Sequence, residues 1–231
     1  MPLAPRAVSL DLDNTLWDTP PVLVRAEAAL WNWIRRHAPR IAEQFSSADL
    51  QQLRLALATA EPGLSHDLSW LRSETLRRAA HAAGYPATVA EQAFAEFLRE
   101  RNAIEPFADV PAALERLARR LPLYALSNGN ACVHRVGLGG FFRGALDAAA
   151  AGAAKPDTRI FARLIAMAAV APGEIVHVGD DAVADVQGAR AAGLQTVWIN
   201  RGGARWPADL PRADREVGDL LELAQLIESA T

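Results

Sequence analysis

The chain has one cysteine, Cys132, and one lysine, Lys155, among its 231 residues. A lone thiol excludes an internal disulfide framework and a multi-cysteine zinc site, and it fits a reducing compartment. An excess of positive charge is also missing. A net charge of −3 and an isoelectric point near 6 leave no basic stripe of the kind that phosphate backbones select, so nucleic acid is not an expected partner. No run approaches the roughly 18 apolar residues of a membrane span, so no membrane is expected either. "MPLAPRAVSLDLD" meets charge before any long apolar segment. No signal peptide is expected from it, and the reading is a cytoplasmic protein. Internal repeats and low-complexity tracts are absent beyond a general richness in alanine.

Apolar residues make up 51% of the chain, enough to bury a core in one large domain or in a domain carrying an insert. Short apolar runs ending in Gly, Ser, Asn or Asp occur at "AVSLDLD", "LPLYALSNG", "EIVHVGDD" and "GLQTVWIN", with helical segments such as "VPAALERLARR" and "RIFARLIAMAAV" between them. This alternation predicts an α/β fold, a doubly wound parallel sheet of the Rossmann-like kind covered on both faces. In such sheets ligands bind beyond the carboxyl ends of the strands.

Residues 19–104 interrupt the rhythm with helical patterns and no strand. Spacing puts Leu23, Ala26, Leu30, Trp33 and His37 on one helix face, and Leu50, Leu53 and Leu57 on another. "TVAE" reads as a capping box with Thr88 as N-cap and Glu91 three residues later, opening a helix that buries Phe94, Phe97 and Leu98. Gly84 reads as the C-cap of the preceding helix. The expected organisation is an all-helical cap domain of four helices over residues 19–104, inserted into a core built from residues 1–18 and 105–231.

Polar residues gather where the strands end. "SLDLDNTLWD" places Asp11 and Asp13 two apart in an extended segment, pointing to one side. Two carboxylates so close favour a shared proton or a bound hard cation such as Mg²⁺, although an acidic surface turn has the same composition. "SNGN" is either an Asn-Gly turn or a cradle in which the Ser127 hydroxyl and the following amides hold an anion. "GDDAVAD" offers Asp180, Asp181 and Asp185, which cap a helix or complete an oxygen site with Asp11. "KPD" is a turn, and it holds the lone lysine in a chain whose other 23 basic residues, of 24, are arginine. A compact ammonium fits between two anionic oxygens where a planar guanidinium is too broad. His177, alternating inside an apolar strand, reads as a core histidine.

"DLDNT", "SNG", "KPD" and "GDDAVAD", in this order and at these distances, resemble the four signature motifs of the haloacid dehalogenase superfamily of phosphohydrolases. The resemblance covers essentially the whole chain, and the insert resembles that superfamily's helical type-one cap. Phrases such as "LDNTLWDTPPVLVRAE", "AEPGLSHD", "GLGGFF" and "HVGDD" resemble a bacterial branch acting on flavin mononucleotide and a phosphoribitylamino-uracil. The resemblance implies an Mg²⁺-dependent phosphatase of a small-molecule phosphate ester, with Asp11 as nucleophile and Asp13 as acid and base. It implies metal ligation by Asp11, the Asp13 backbone carbonyl and Asp180, with Asp185 as ligand or anchor. Phosphate contacts would come from Thr15, Ser127, Asn128, Gly129 and Lys155. Trp17, His66 and Asn130 are the candidate substrate contacts. A sugar phosphomutase shares the paired aspartates, and a phospho-receiver module shares a carboxylate, hydroxyl and lysine set on a related sheet. Oligomeric state is left open.

Overall fold

The computed structural model describes residues 5–229. Residues 1–4, which open the stretch used above to argue against a signal peptide, lie outside the described residues. The chain divides into two compact units, Met1–Asp18 with Glu105–Thr231, and Thr19–Ile104.

The second unit is helical: α1 (Thr19–His37), α2 (Pro39–Gln44), α3 (Ser47–Ala60), α4 (Leu68–Ala82) and α5 (Ala87–Arg101). The short α2, started by Pro39 in its first turn, adds to the four helices expected. The buried stripe of α1 is Val22, Ala26, Leu30 and Ile34, while Leu23 is 39% exposed. Both stripes satisfy helical spacing, and packing chose the one that meets Leu76, Ala79 and Phe97 in the unit's core. Phe97 is buried, with Phe94 and Leu98 partly so. No capping box forms at Thr88: α5 starts two residues earlier, at Ala87, with Pro86 at its N-cap and no side-chain cap. Proline presets the dihedral of the entering chain without needing an amide partner. Capping boxes elsewhere do hold, for example Ser46 with Asp49 ahead of α3. The end of α4 follows expectation. Gly84 is left-handed (φ 71°), and the Gly84 and Tyr85 amides donate back to the His81 and Ala80 carbonyls, closing the helix.

In the first unit six parallel strands, β1 (Ala7–Leu10), β2 (Leu123–Ser127), β3 (Phe142–Asp147), β4 (Ile175–Gly179), β5 (Gln195–Ile199) and β6 (Arg215–Val217), are ordered β3-β2-β1-β4-β5-β6. This is the doubly wound, Rossmann-like sheet expected, with two strands more than the apolar runs indicated. Both additions are edges. "FRGALD" carries an arginine and a glycine, and "REV" is three residues long, so neither shows the apolar signature of a strand covered on both faces. The central strands β1, β2 and β4 are buried along their whole length.

The remaining helices are α6 (Val110–Ala118), α7 (Ala148–Ala151), α8 (Thr158–Ala168), α9 (Gly188–Ala191) and α10 (Leu220–Ser229). Ala7, Tyr124, Leu126 and Ile175, alternate residues of the inner strands, pack with Ile160, Phe161 and Leu164 of α8 and Ala189 of α9. By the same alternation Ser9 of β1 and His177 of β4 leave the sheet on this face. Among the described residues no helix is long and apolar enough to cross a membrane.

Candidate active site

The site forms where β1, β2 and β4 end side by side. The Asp11 amide donates to the Val178 carbonyl (2.8 Å), extending the β1–β4 ladder by one residue and setting Asp11 beside the end of β4. Asn14 follows with a positive φ of 60°, which a short polar side chain tolerates. The Leu16 amide then returns to the Leu12 carbonyl and closes the loop. Within that loop Trp17 Nε1 donates to Asp13 Oδ1 at 2.9 Å.

Lys155 lies in the turn ahead of α8, not at a strand end, and its peptide bond to Pro156 is cis. Its ammonium is buried and donates to three acceptors: Asp11 Oδ1 (2.5 Å), Asp185 Oδ1 (2.6 Å) and the Leu126 carbonyl (3.0 Å). An ammonium has three N–H bonds, and all three are used. The Asn128 side chain clamps this turn from outside. Its Oδ1 accepts from the Lys155 amide (2.7 Å) and its Nδ2 donates to the Lys155 carbonyl (2.9 Å). These two bonds occupy Asn128 Oδ1 and one of its two Nδ2 hydrogens, leaving the second Nδ2 hydrogen and the backbone amide. The neighbouring Gly129 amide donates to Ser127 Oγ at 2.9 Å.

β4 runs into a π-helical turn over Ala182–Gln187 that leads to α9. Asp181 caps it, accepting from the Val183 and Ala184 amides. Asp185, one turn in, points back under the strand ends. Its Oδ1 accepts from Lys155 and faces His177 Nε2 (3.1 Å), while Oδ2 accepts from the Asp181 amide (3.0 Å). A Cβ on Gly179 would lie 2.1 Å from Asp185 Cγ, so the close approach needs glycine there. Trp198 of β5 donates to the Asp180 carbonyl at 2.7 Å and fixes the backbone at that strand end.

Oxygens of Asp11, Asp180 and Asp185 all lie within 4.8 Å of one another. Burial raises the Asp11 carboxyl, with Lys155 pulling it down and Asp185 adding to the rise. Burial and then the charge of Asp185 lift Asp180 to about 6. Burial opposes ionisation of Asp185 as well, but Lys155 and His177 outweigh it and hold that carboxyl well below the usual range. Burial likewise lowers Lys155 in isolation, yet its two carboxylates more than offset this and keep it charged. Three carboxylates share one ammonium. The charge left over, on an oxygen-only donor set, suits a hard divalent cation.

The remaining expected residues scatter. Thr15 is fully buried; its carbonyl accepts from Arg201 Nε (3.0 Å), and its hydroxyl finds no partner among the described residues. Turned inward after Asn14, it presents nothing to a ligand in this conformation. Trp17 is 0% exposed, so its ring offers no open face for stacking and serves instead to hold Asp13. His66 belongs to the helical unit, in the turn before α4, where Asp67 is the cap through the Trp70 amide (2.8 Å). Asn130 lines a cavity of about 290 Å³ with Ser127, Cys132, His134 and Asp147.

Residues 5–193 match the family model described as haloacid dehalogenase-like hydrolase. The chain belongs to the haloacid dehalogenase-like hydrolases. Among the relatives of this hydrolase, the 5-amino-6-(5-phospho-D-ribitylamino)uracil phosphatase YigB of Escherichia coli (strain K12) is 36% identical over 84% of this chain and 82% of its own. The phosphoserine phosphatase of Thermus thermophilus is 35% identical over 87% and 82%. A solved structure of a 2-haloacid dehalogenase from Pseudomonas syringae pv. Tomato DC3000 superposes with a TM-score of 0.93 at 36% identity, covering 98% of this chain and 100% of that one.

Proposed function

We propose that this haloacid dehalogenase-like enzyme, a phosphoric monoester hydrolase, works with Mg²⁺ through an aspartyl phosphate on Asp11. Its substrate is a small metabolite of the riboflavin series, the phosphoribitylamino-uracil or flavin mononucleotide. The observation that carries the chemistry is Asp13. A halide leaves as a stable anion and needs no proton, whereas an alkoxide leaving from phosphorus does. A second carboxylate two residues beyond Asp11, oriented by Trp17 Nε1, supplies that proton and favours phosphatase over dehalogenase chemistry.

The steps balance on this chain's own groups. A carboxylate oxygen of Asp11 attacks phosphorus, the ester P–O bond breaks, and the Asp13 carboxyl gives its proton to the departing oxygen. Asp13 then takes a proton from water, whose oxygen attacks the same phosphorus. The Asp11–phosphorus bond breaks, restoring the carboxylate and releasing inorganic phosphate. Asp11 and Asp180 would hold the cation, with Asp185 as third ligand or anchor, and the Ser127 hydroxyl, accepting from the Gly129 amide, would hold the other phosphate oxygens with the Asn128 amide. When bound, Mg²⁺ supplies charge that neutralises the phosphoryl oxygens. Lys155 holds the nucleophile in place and offsets its repulsion from the incoming dianion. On this reading residues 19–104 act as the cap and the remainder as the catalytic core.

The substrate assignment rests on the Escherichia coli relative's named activity and is tested by phosphate release with Mg²⁺ across a panel. The panel holds the phosphoribitylamino-uracil, flavin mononucleotide, phosphoserine, phosphoglycolate and sugar phosphates, with 2-chloropropionate for halide release and Asp11→Asn as blank. Strong preference for the riboflavin-series esters is expected. Equal turnover of unrelated esters would remove the substrate assignment and leave the chemistry, and halide release without phosphate release would remove both.

A further inference from the structure

His177 is the only polar side chain in β4 and stands in register with Ser9 of β1. Its imidazole is fully enclosed, edge-on to the Phe161 ring with centroids 5.3 Å apart. Each nitrogen has one partner: Nε2 lies 3.1 Å from Asp185 Oδ1 and Nδ1 lies 3.0 Å from Ser9 Oγ. An ionised carboxylate only accepts, so Nε2 carries the hydrogen and the neutral ring leaves Nδ1 to accept from the Ser9 hydroxyl. Any buried acceptor would satisfy a histidine needed only for packing. This one meets the carboxylate that also holds the ammonium bound to Asp11.

Without His177 the Asp185 carboxylate would be held by Lys155 on one oxygen and the Asp181 amide on the other. Lys155 divides its hydrogens between Asp185, Asp11 and the Leu126 carbonyl, so it follows Asp185 as much as it restrains it. A donor fixed in the sheet gives Oδ1 a reference that does not move with the lysine. Because the donor is neutral it orients Asp185 without cancelling its charge. We propose that His177, in its Nε2–H tautomer set by Ser9, is a positioning residue that locks Asp185 against Lys155 and toward the divalent cation. The inference rests on the reading of the site given under Proposed function.

Two variants separate the hydrogen bond from the bulk. His177→Leu removes the donor and keeps an apolar filler; His177→Gln keeps an N–H near the place of Nε2. Mg²⁺ binding is measured by calorimetry without substrate, and kcat and KM on the best ester of the panel. In His177→Leu, Mg²⁺ affinity and kcat each fall about 10- to 100-fold with KM little changed, and His177→Gln stays within about fivefold of wild type. Wild-type Mg²⁺ affinity and kcat in His177→Leu, or a Gln variant as impaired as the Leu variant, would overturn the role. Should His177→Leu fail to fold, nitrogen-resolved NMR of the wild-type histidines decides. A buried Nε2–H imidazole with an unprotonated, hydrogen-bonded Nδ1 is expected, and the Nδ1–H tautomer refutes the inference. If wild-type protein neither binds Mg²⁺ nor releases phosphate, the reading of the site falls and the positioning role with it. If wild type and His177→Leu do both equally well, only the positioning role falls.

Discussion

Lys155→Arg keeps the charge and should still destroy the enzyme. The three acceptors of Lys155 converge on one nitrogen, at 2.5 Å from Asp11, 2.6 Å from Asp185 and 3.0 Å from the Leu126 carbonyl. A guanidinium spreads its hydrogens over a plane wider than this gap and reaches it from a different length of stem, so it cannot serve all three from one point. Lys155→Met gives the scale of the loss. Asp11 is 6% exposed and Asp185 2%, and removing the cation from a buried pair costs about 3–5 kcal/mol. Burial raises the Asp11 carboxyl, and Lys155 beside it opposes that rise. Without the lysine the pair will hold a proton, which limits the stability loss and takes the charge from the proposed nucleophile. Turnover should therefore fall about 10²- to 10³-fold in Lys155→Met, as on loss of other electrostatic catalysts. Lys155→Arg should recover little of it. The assays are phosphate release at saturating Mg²⁺ and urea unfolding at neutral pH. A Lys155→Arg enzyme within about tenfold of wild-type turnover, with an unchanged unfolding midpoint, would refute the argument from shape.

Asp13→Asn should lower turnover about 10²- to 10⁴-fold by removing the acid and base, while its amide oxygen still accepts from Trp17 and the thermal midpoint stays close to wild type; unchanged turnover would end Asp13's proposed role. Asp109 accepts from both terminal nitrogens of Arg201 (2.9 Å each) and from the Leu220 amide (2.9 Å). Burial pushes its carboxyl up, but these donors win and hold it below its ordinary value. A lowered carboxyl contributes stability above its unfolded value and loses it as pH falls through the folded one. Wild type should thus exceed Asp109→Asn by about 1–3 kcal/mol at neutral pH in urea unfolding, with the gap closing in acid; a gap that widens in acid would contradict the sign. Gly179→Ala would drive Cβ to 2.1 Å from Asp185 Cγ, whereas Gly63→Ala meets nothing within 4 Å. The first should cost about 1–3 kcal/mol and abolish Mg²⁺ binding measured by calorimetry, and the second should leave binding intact; equal binding in both would show that Asp185 has room to move.

Two things were legible in the residues alone. The alternation of apolar runs with helical segments implies a parallel sheet because both faces of such a strand must be covered, and polar residues at the run ends mark the edge where ligands bind. The break in rhythm over residues 19–104 and the glycine closing α4 are local signals of the same kind. The edge strands β3 and β6 escaped because an edge needs no continuous apolar run. The stripe of α1 was chosen by packing between options that the local code leaves nearly equal, whereas α5 starts from Pro86, which sets the entering dihedral locally.

Tertiary structure alone decided how the site is wired. Lys155 meets Asp11 across 144 residues and Asp185 across 30; Asn128 reaches Lys155 across 27, and His177 reaches Ser9 across 168. No window of sequence contains such a pair. The one trace His177 left was a polar residue interrupting an apolar strand, with Ser9 doing the same in β1. Only the register of β1 on β4 turned those two interruptions into one hydrogen-bonded chain from Ser9 through His177, Asp185 and Lys155 to Asp11. A hydrogen bond depends on where two backbones lie in space, which is settled by the packing of the whole sheet rather than by residues near either partner.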